Sequence, residues 1–166
     1  MKKIFIVVAL GLSLAACKST KATNAAATTT ASADAPAVAY RDNFKIVTDA
    51  EKSATLKELK ATGPNQSVLI MTKNFKGESI TVSNGAKKFY TGYPLTNLGT
   101  GLAEKVAIDN TSDITIYDSH TKKEAVLKSS DTQKYKFVYV SKKPGSKNPF
   151  VITYSNKLAA FIKKAP

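Results

Sequence analysis

From residue 66 onward, apolar and polar positions follow a period near two. Ser67-Val68-Leu69-Ile70-Met71-Thr72 is a continuous apolar run framed by hydroxyl residues, the pattern of a strand buried on both faces. Ser79-Ile80-Thr81-Val82 leads through Ser83-Asn84-Gly85 into Ala86-Lys87-Lys88-Phe89-Tyr90. Asn-Gly between two such runs predicts a hairpin closed by a type I′ turn. Residues 105–108 and 113–117 read as further strands, the second turning through Asp118-Ser119-His120-Thr121 into residues 122–128. Residues 134–140 alternate clearly, with Lys134 and Lys136 on one face and Tyr135, Phe137 and Tyr139 on the other. A loop over 142–149 separates that run from Phe150-Val151-Ile152-Thr153-Tyr154. About seven or eight short strands, with turns every 8–12 residues or so, predict a mainly β fold: an antiparallel β-sandwich (Ig-like) or a small barrel.

Two stretches break the period. Thr48 followed three residues later by Glu51 fits a capping box, so a short helix is expected over 49–61. Residues 155–164 read as a last helical turn or two, or as a final strand. Residues 79–88 and 113–123 echo one another, each a hairpin preceded by a strand ending near Asn74 or Asn110. A duplicated unit and two ordinary hairpins both account for that echo.

The chain opens differently. Met1-Lys2-Lys3 is cationic, residues 4–14 are an apolar run interrupted by Gly11 and Ser13, and small residues follow. This is the layout of a secretory signal peptide, too short for a transmembrane helix of about 20 residues. Within it, Leu14-Ala15-Ala16-Cys17 resembles the lipobox of bacterial lipoproteins. The resemblance implies diacylglycerol attachment to the Cys17 thiol, cleavage before Cys17 with residues 1–16 as the signal peptide, and a third acyl chain, such as palmitate, on the new amine. Two or three acyl chains make a stable membrane anchor where one does not. A lone cysteine consumed as a thioether also suits an exported chain without disulfides. By analogy with enteric lipoproteins, Lys18 in place of an acidic residue implies the outer membrane, facing the periplasm.

Residues 17–39 then read as the lipidated cysteine and a flexible tether. Sixteen of the 22 residues over 18–39 are Ala, Thr or Ser, too little apolar surface to offset ordering entropy. Residues 40–166 are left as one β-rich domain.

Charge narrows the chemistry. The 166-residue chain has a formal net charge of +13, carried almost wholly by lysine, with Arg41 as its one arginine. From residue 40 on, 21 bases face 11 acids. That excess suggests acidic surroundings, an anionic envelope polymer or lipid, with Lys134, Lys136, Lys142, Lys143 and Lys147 as the contact residues. Nucleic acid is disfavoured by the compartment, the shortage of arginine and the absence of a recognised module. No cofactor motif or phosphate loop is present, and Gly99-Thr100-Gly101 only superficially resembles one. One His and one Cys fall short of the three or four such ligands that a His/Cys zinc site needs. Asp109-Asn110-Thr111-Ser112-Asp113 is read as a turn rather than a calcium loop, and His120 as an exposed turn residue. Residues 90–101 form a long loop, either a binding loop or a crossing between sheets. A binding or structural module without enzymatic activity is the expectation. The alternative is a hydrolase-like envelope enzyme using Ser or Lys with acid partners.

Overall fold

The apolar run at 68–71 is buried on both sides in the computed structural model, which describes residues 35–161. In chain order the elements are β1 (Ala37–Tyr40), α1 (Asp49–Glu58), β2 (Gln66–Met71), β3 (Ile80–Ser83), β4 (Lys88–Gly92), β5 (Glu104–Asp109) and β6 (Ile114–Asp118). They are followed by β7 (Lys123–Leu127), α2 (Ser129–Thr132), β8 (Phe137–Lys142) and β9 (Phe150–Ser155). The strands form a β-sandwich of two sheets, with strand orders β1-β9-β8-β2-β5 and β4-β3-β6-β7.

The sandwich core lies between the sheets. Leu69, Met71, Val138, Val140 and Ile152 from the larger sheet meet Ile80, Val82, Ile114, Ile116 and Leu127 from the smaller one. In the smaller sheet β3, β6 and β7 alternate inward and outward, as strands with one solvated face must. The central strands β2 and β8 of the larger sheet are covered on both faces. Val68, Ile70, Phe137 and Tyr139 point the other way, into a second core closed by Leu56 and Leu59 and by residues 158–161. Burial on both faces explains why β2 reads as an unbroken apolar run.

Two pairings depart from an antiparallel sandwich: β2 runs parallel to β8, and β1 parallel to β9. β1 takes up the last residues assigned to the tether. Its side chains are all exposed, so no buried pattern marks it. Tyr40 stacks on Tyr154 at 5.4 Å between ring centroids.

The Thr48–Glu51 capping box forms: the Thr48 N–H donates to Glu51 Oε2 at 2.8 Å. The β3–β4 hairpin forms where Asn84-Gly85 predicts it, but with a wider turn. Ser83 pairs with Lys88, only Gly85 has a positive φ, and the Asn84 side chain accepts from the Lys87 N–H. The strand expected over 134–140 starts only at Phe137. Asp131 O accepts from both Lys134 N and Tyr135 N, which carries the end of α2 through a turn. Ser155 ends β9, and among the described residues 156–161 form neither helix nor full strand. They run beside residues 45–47 through a single bridge, Ile46 to Ala159.

The registers define two ends. Ala37 is level with Val151, Val151 with Ser141, and Met71 with both Val140 and Glu104. The chain therefore enters β1 at the end that carries the β8–β9 loop, the segment 72–79, the loop 93–103 and the β6–β7 turn. This is called the near end below. Among the described residues, no helix is long and apolar enough to cross a membrane.

Candidate functional site

Three charged side chains meet at the near end. β8 ends on Lys142, β6 ends on Asp118, and Glu78 lies just before β3. Lys142 Nζ donates to Asp118 Oδ2 at 2.7 Å and also to Glu78 Oε1. Only 5% of the Lys142 side chain and none of Asp118 is exposed. The ammonium lies 5.2 Å from the Phe75 ring centroid and 5.6 Å from that of Phe150. Lys142 thus ties the larger sheet to the smaller one.

Burial pushes the Asp118 carboxyl up, but the Lys142 hydrogen bond, the His120 N–H and the Thr121 hydroxyl and N–H outweigh it. The net effect holds Asp118 below the usual carboxylate range. Glu78 behaves alike: burial raises it, and Lys142 with the Glu78 and Lys76 backbone amides brings it below its ordinary value. Both carboxylates are ionised at neutral pH, and a buried ion cluster of this kind is tolerated only because every member is hydrogen-bonded.

A cleft of about 270 Å³ opens above this cluster. Lys76, Lys123, Lys142 and Lys147 line it, and Glu78 is its one carboxylate among the described residues. Gly145, with φ of 79°, turns the β8–β9 loop over one side, and the Lys143 N–H donates to Pro149 O across its base. The Asn148 side chain donates to Glu124 O and fixes the loop to β7. An anion entering the cleft meets lysine ammonium groups on several sides and a carboxylate already paired.

The expected lysine group is divided by this geometry. Lys134 and Lys136 precede β8, whereas Lys142, Lys143 and Lys147 follow or end it. Six residues of strand, at about 3.3 Å each, put roughly 20 Å between the two sets. Lys136 is also engaged, its ammonium donating to Gly63 O at 2.8 Å and Gln66 O at 2.7 Å. Burial, then the nearby Lys52 charge, lowers its pKa. Lys142 is sealed in its ion cluster and is a structural cation. Of the expected contact residues, Lys143 and Lys147 remain exposed at the near end.

The other candidates fall as follows. His120 is exposed in the β6–β7 turn, its N–H donating to Asp118. Asp109 accepts from the Thr111 N–H and hydroxyl, and Asp113 from Lys128 and the Ser129 N–H. The Asp109 bonds close a local turn, whereas those of Asp113 reach 15 and 16 residues along the chain to the start of α2. Among the described residues, no group of three or more His, Cys, Asp and Glu is placed to hold a metal ion. Cys17, residues 18–34, and Lys163 with Lys164 lie outside the described residues.

Glu78, Asp118, Lys76 and Lys123 were not anticipated. They come in two pairs far apart along the chain, Lys76 with Glu78 ahead of β3 and Asp118 with Lys123 flanking the β6–β7 turn, and spacing does not connect the pairs. A signal was nevertheless present. Lys142 continues the inward series Val138, Val140; Asp118 continues Ile114, Ile116; Glu78 precedes Ile80, Val82. Each charge sits at the core-facing parity of its strand.

The chain matches no protein-family model, and no curated protein is significantly similar to it.

Proposed function

We propose that the protein is a lipid-anchored lipoprotein of the bacterial envelope, held at the outer membrane and facing the periplasm. Its basic β-sandwich is the binding module, and the ligand is an anionic envelope polymer or lipid. The lysine-walled cleft carries this reading: Lys76, Lys123, Lys142 and Lys147 line it, against Glu78 as its one carboxylate among the described residues. The anchor rests on Leu14-Ala15-Ala16-Cys17.

Lysine suits such a role. Its ammonium is a point charge without the guanidinium's fixed fork, so it favours attraction to phosphate-rich surfaces over sculpted recognition of one molecule. Two measurements test the two halves. By intact mass, the wild-type chain should start at Cys17 and carry acyl chains, whereas the Cys17→Ser chain should carry none and retain residues 1–16. Identical masses after accounting for the substitution would remove the anchor. For the module, residues 18–166 contain both cores whole and suit a binding assay. Lys76→Glu with Lys147→Glu should weaken binding to anionic vesicles or soluble polyphosphate by at least about ten-fold, at roughly 1 kcal/mol per lysine. Lys134→Glu at the far end should leave binding unchanged. Equal losses from both ends would show that no local site exists.

A further inference from the structure

The near end combines three features whose conjunction identifies a partner. The chain enters there, since Ala37 begins β1 at that end. Exposed lysines gather there: Lys73 and Lys76 after β2, Lys122 in the β6–β7 turn, and Lys143 and Lys147 between β8 and β9. The three most exposed large apolar side chains among the described residues are there too. Tyr93 is 73% exposed, Leu95 67% and Leu98 96%, all on the loop after β4.

That loop is held firmly. Pro94 O accepts from the Gly77 N–H, and the Thr96 N–H donates to Phe75 O. The Thr96 hydroxyl donates to Thr72 O at 2.6 Å and accepts from the Phe75 N–H. The Asn97 side chain accepts from the Gly99 and Thr100 N–H groups. Leu95 bridges to Lys76, which puts an apolar side chain beside the cationic cleft. The backbone is fixed while the side chains point into solvent, so burying them in a partner costs little backbone ordering.

We infer that the near end is a membrane-docking face: Tyr93, Leu95 and Leu98 enter the headgroup region of an anionic bilayer while the surrounding lysines meet its lipid phosphates. The inference deepens the proposed function by choosing the bilayer as the anionic partner. Seventeen residues, 18–34, separate Cys17 from Ala35, and the eighteen steps between them reach at most about 65 Å. A chain anchored at Cys17 meets the domain at the face that carries both the charge and the apolar side chains. Anchoring also makes the contact intramolecular, at an effective concentration in the millimolar range for a short linker, so a weak docking affinity suffices. Exposed apolar residues rimmed by lysines are the composition that interfacial membrane binding uses.

The test uses residues 18–166 without lipid, so it stands apart from the anchor. The chain has no tryptophan, and Leu98→Trp supplies a single reporter. Vesicles of phosphatidylcholine mixed with phosphatidylglycerol should shift its emission to the blue, and quenchers placed in the acyl region should dim it. Raising the salt to about 1 M, where the Debye length shrinks to about 3 Å, should abolish the shift. Each lysine replaced among Lys73, Lys76 and Lys143 should lower the partition coefficient about five-fold. Leu95→Asp with Leu98→Asp should abolish partition while leaving the thermal midpoint unchanged, since both side chains are exposed. Lack of a blue shift on anionic vesicles overturns the inference. So does equal partition onto pure phosphatidylcholine, or full binding by the double Asp variant. Binding to soluble polyphosphate as tightly as to vesicles would point to a polyanion in the cleft and likewise remove the bilayer. A failure here with Cys17 acylated leaves a tethered protein whose partner is not its membrane, whereas an unacylated Cys17 with docking intact removes only the anchor.

Discussion

Lys142 lies between Glu78 and Asp118 at the seam of the sandwich, and the arrangement makes each member costly to lose. Lys142→Met keeps the length and apolar stem but leaves two carboxylates without a counter-ion. Breaking a buried pair from one side costs about 3–5 kcal/mol. Urea denaturation at pH 7 should read that loss, and an unchanged midpoint would mean that water already screens the cluster. Acid should act through the same residues. Their folded pKa values lie below the unfolded ones, so their contribution is complete above about pH 5 and is lost as pH falls through about 4 and below. The double variant Glu78→Gln and Asp118→Asn should flatten that part of the stability–pH profile. A profile with undiminished slope would assign acid sensitivity to other carboxylates.

At the scale of elements, alternation carried most of the sandwich. β3, β6 and β7 show one buried and one solvated face, and their sequences say so. Ile116→Ala, which empties a fully buried site, should cost about 2–5 kcal/mol. Val126→Ala, on the 38% exposed outer face of β7, should stay within about 0.5 kcal/mol. Equal losses would contradict the assigned faces. Thr48→Ala should cost about 1 kcal/mol by removing the cap of α1. What escaped the pattern has physical reasons. β1 buries nothing, so an Ala-rich strand looks like a tether. Four residues of α2 are too few for a helical period, and the helix is held by Asp113 accepting from the Ser129 N–H. Lys134 and Tyr135 mimic alternation while bonded in a turn. The candidate site was least legible, because its charges sit in core-facing positions that were read as loop chemistry. The sequence echo acquires a spatial counterpart: β2 pairs antiparallel with β5 and β3 with β6, which places the two strand-and-hairpin units in corresponding positions.

For the molecule as a whole, orientation is the property at stake. If the near end faces the bilayer, chain length between Cys17 and Ala35 is not limiting. Removing residues 20–31 should leave the Leu98→Trp signal on anionic vesicles unchanged in the acylated protein. A domain facing the membrane with its other end would need the chain to pass along the strands, roughly 20 Å at about 3.3 Å per residue, and the shortened tether would then weaken contact. Because Leu98 is at the near end, such a domain would show no acyl-region quenching even with the full tether, so absent quenching in the full-length acylated protein would reverse the assigned orientation.

The parallel alignment of β1 with β9 has a mechanical meaning. A pull on the chain ahead of Ala37 acts along the axis of β1, out through the near end. The hydrogen bonds to β9, spread over the level pairs from Ala37–Val151 to Tyr40–Tyr154, lie across that pull. They are loaded together in shear, with the Tyr40–Tyr154 stack, rather than peeled one after another. Resistance to such a load is set by an unfolding rate rather than by equilibrium stability. A short, exposed strand that adds little to the core is thus placed where tension on the chain is shared among all of its bonds at once.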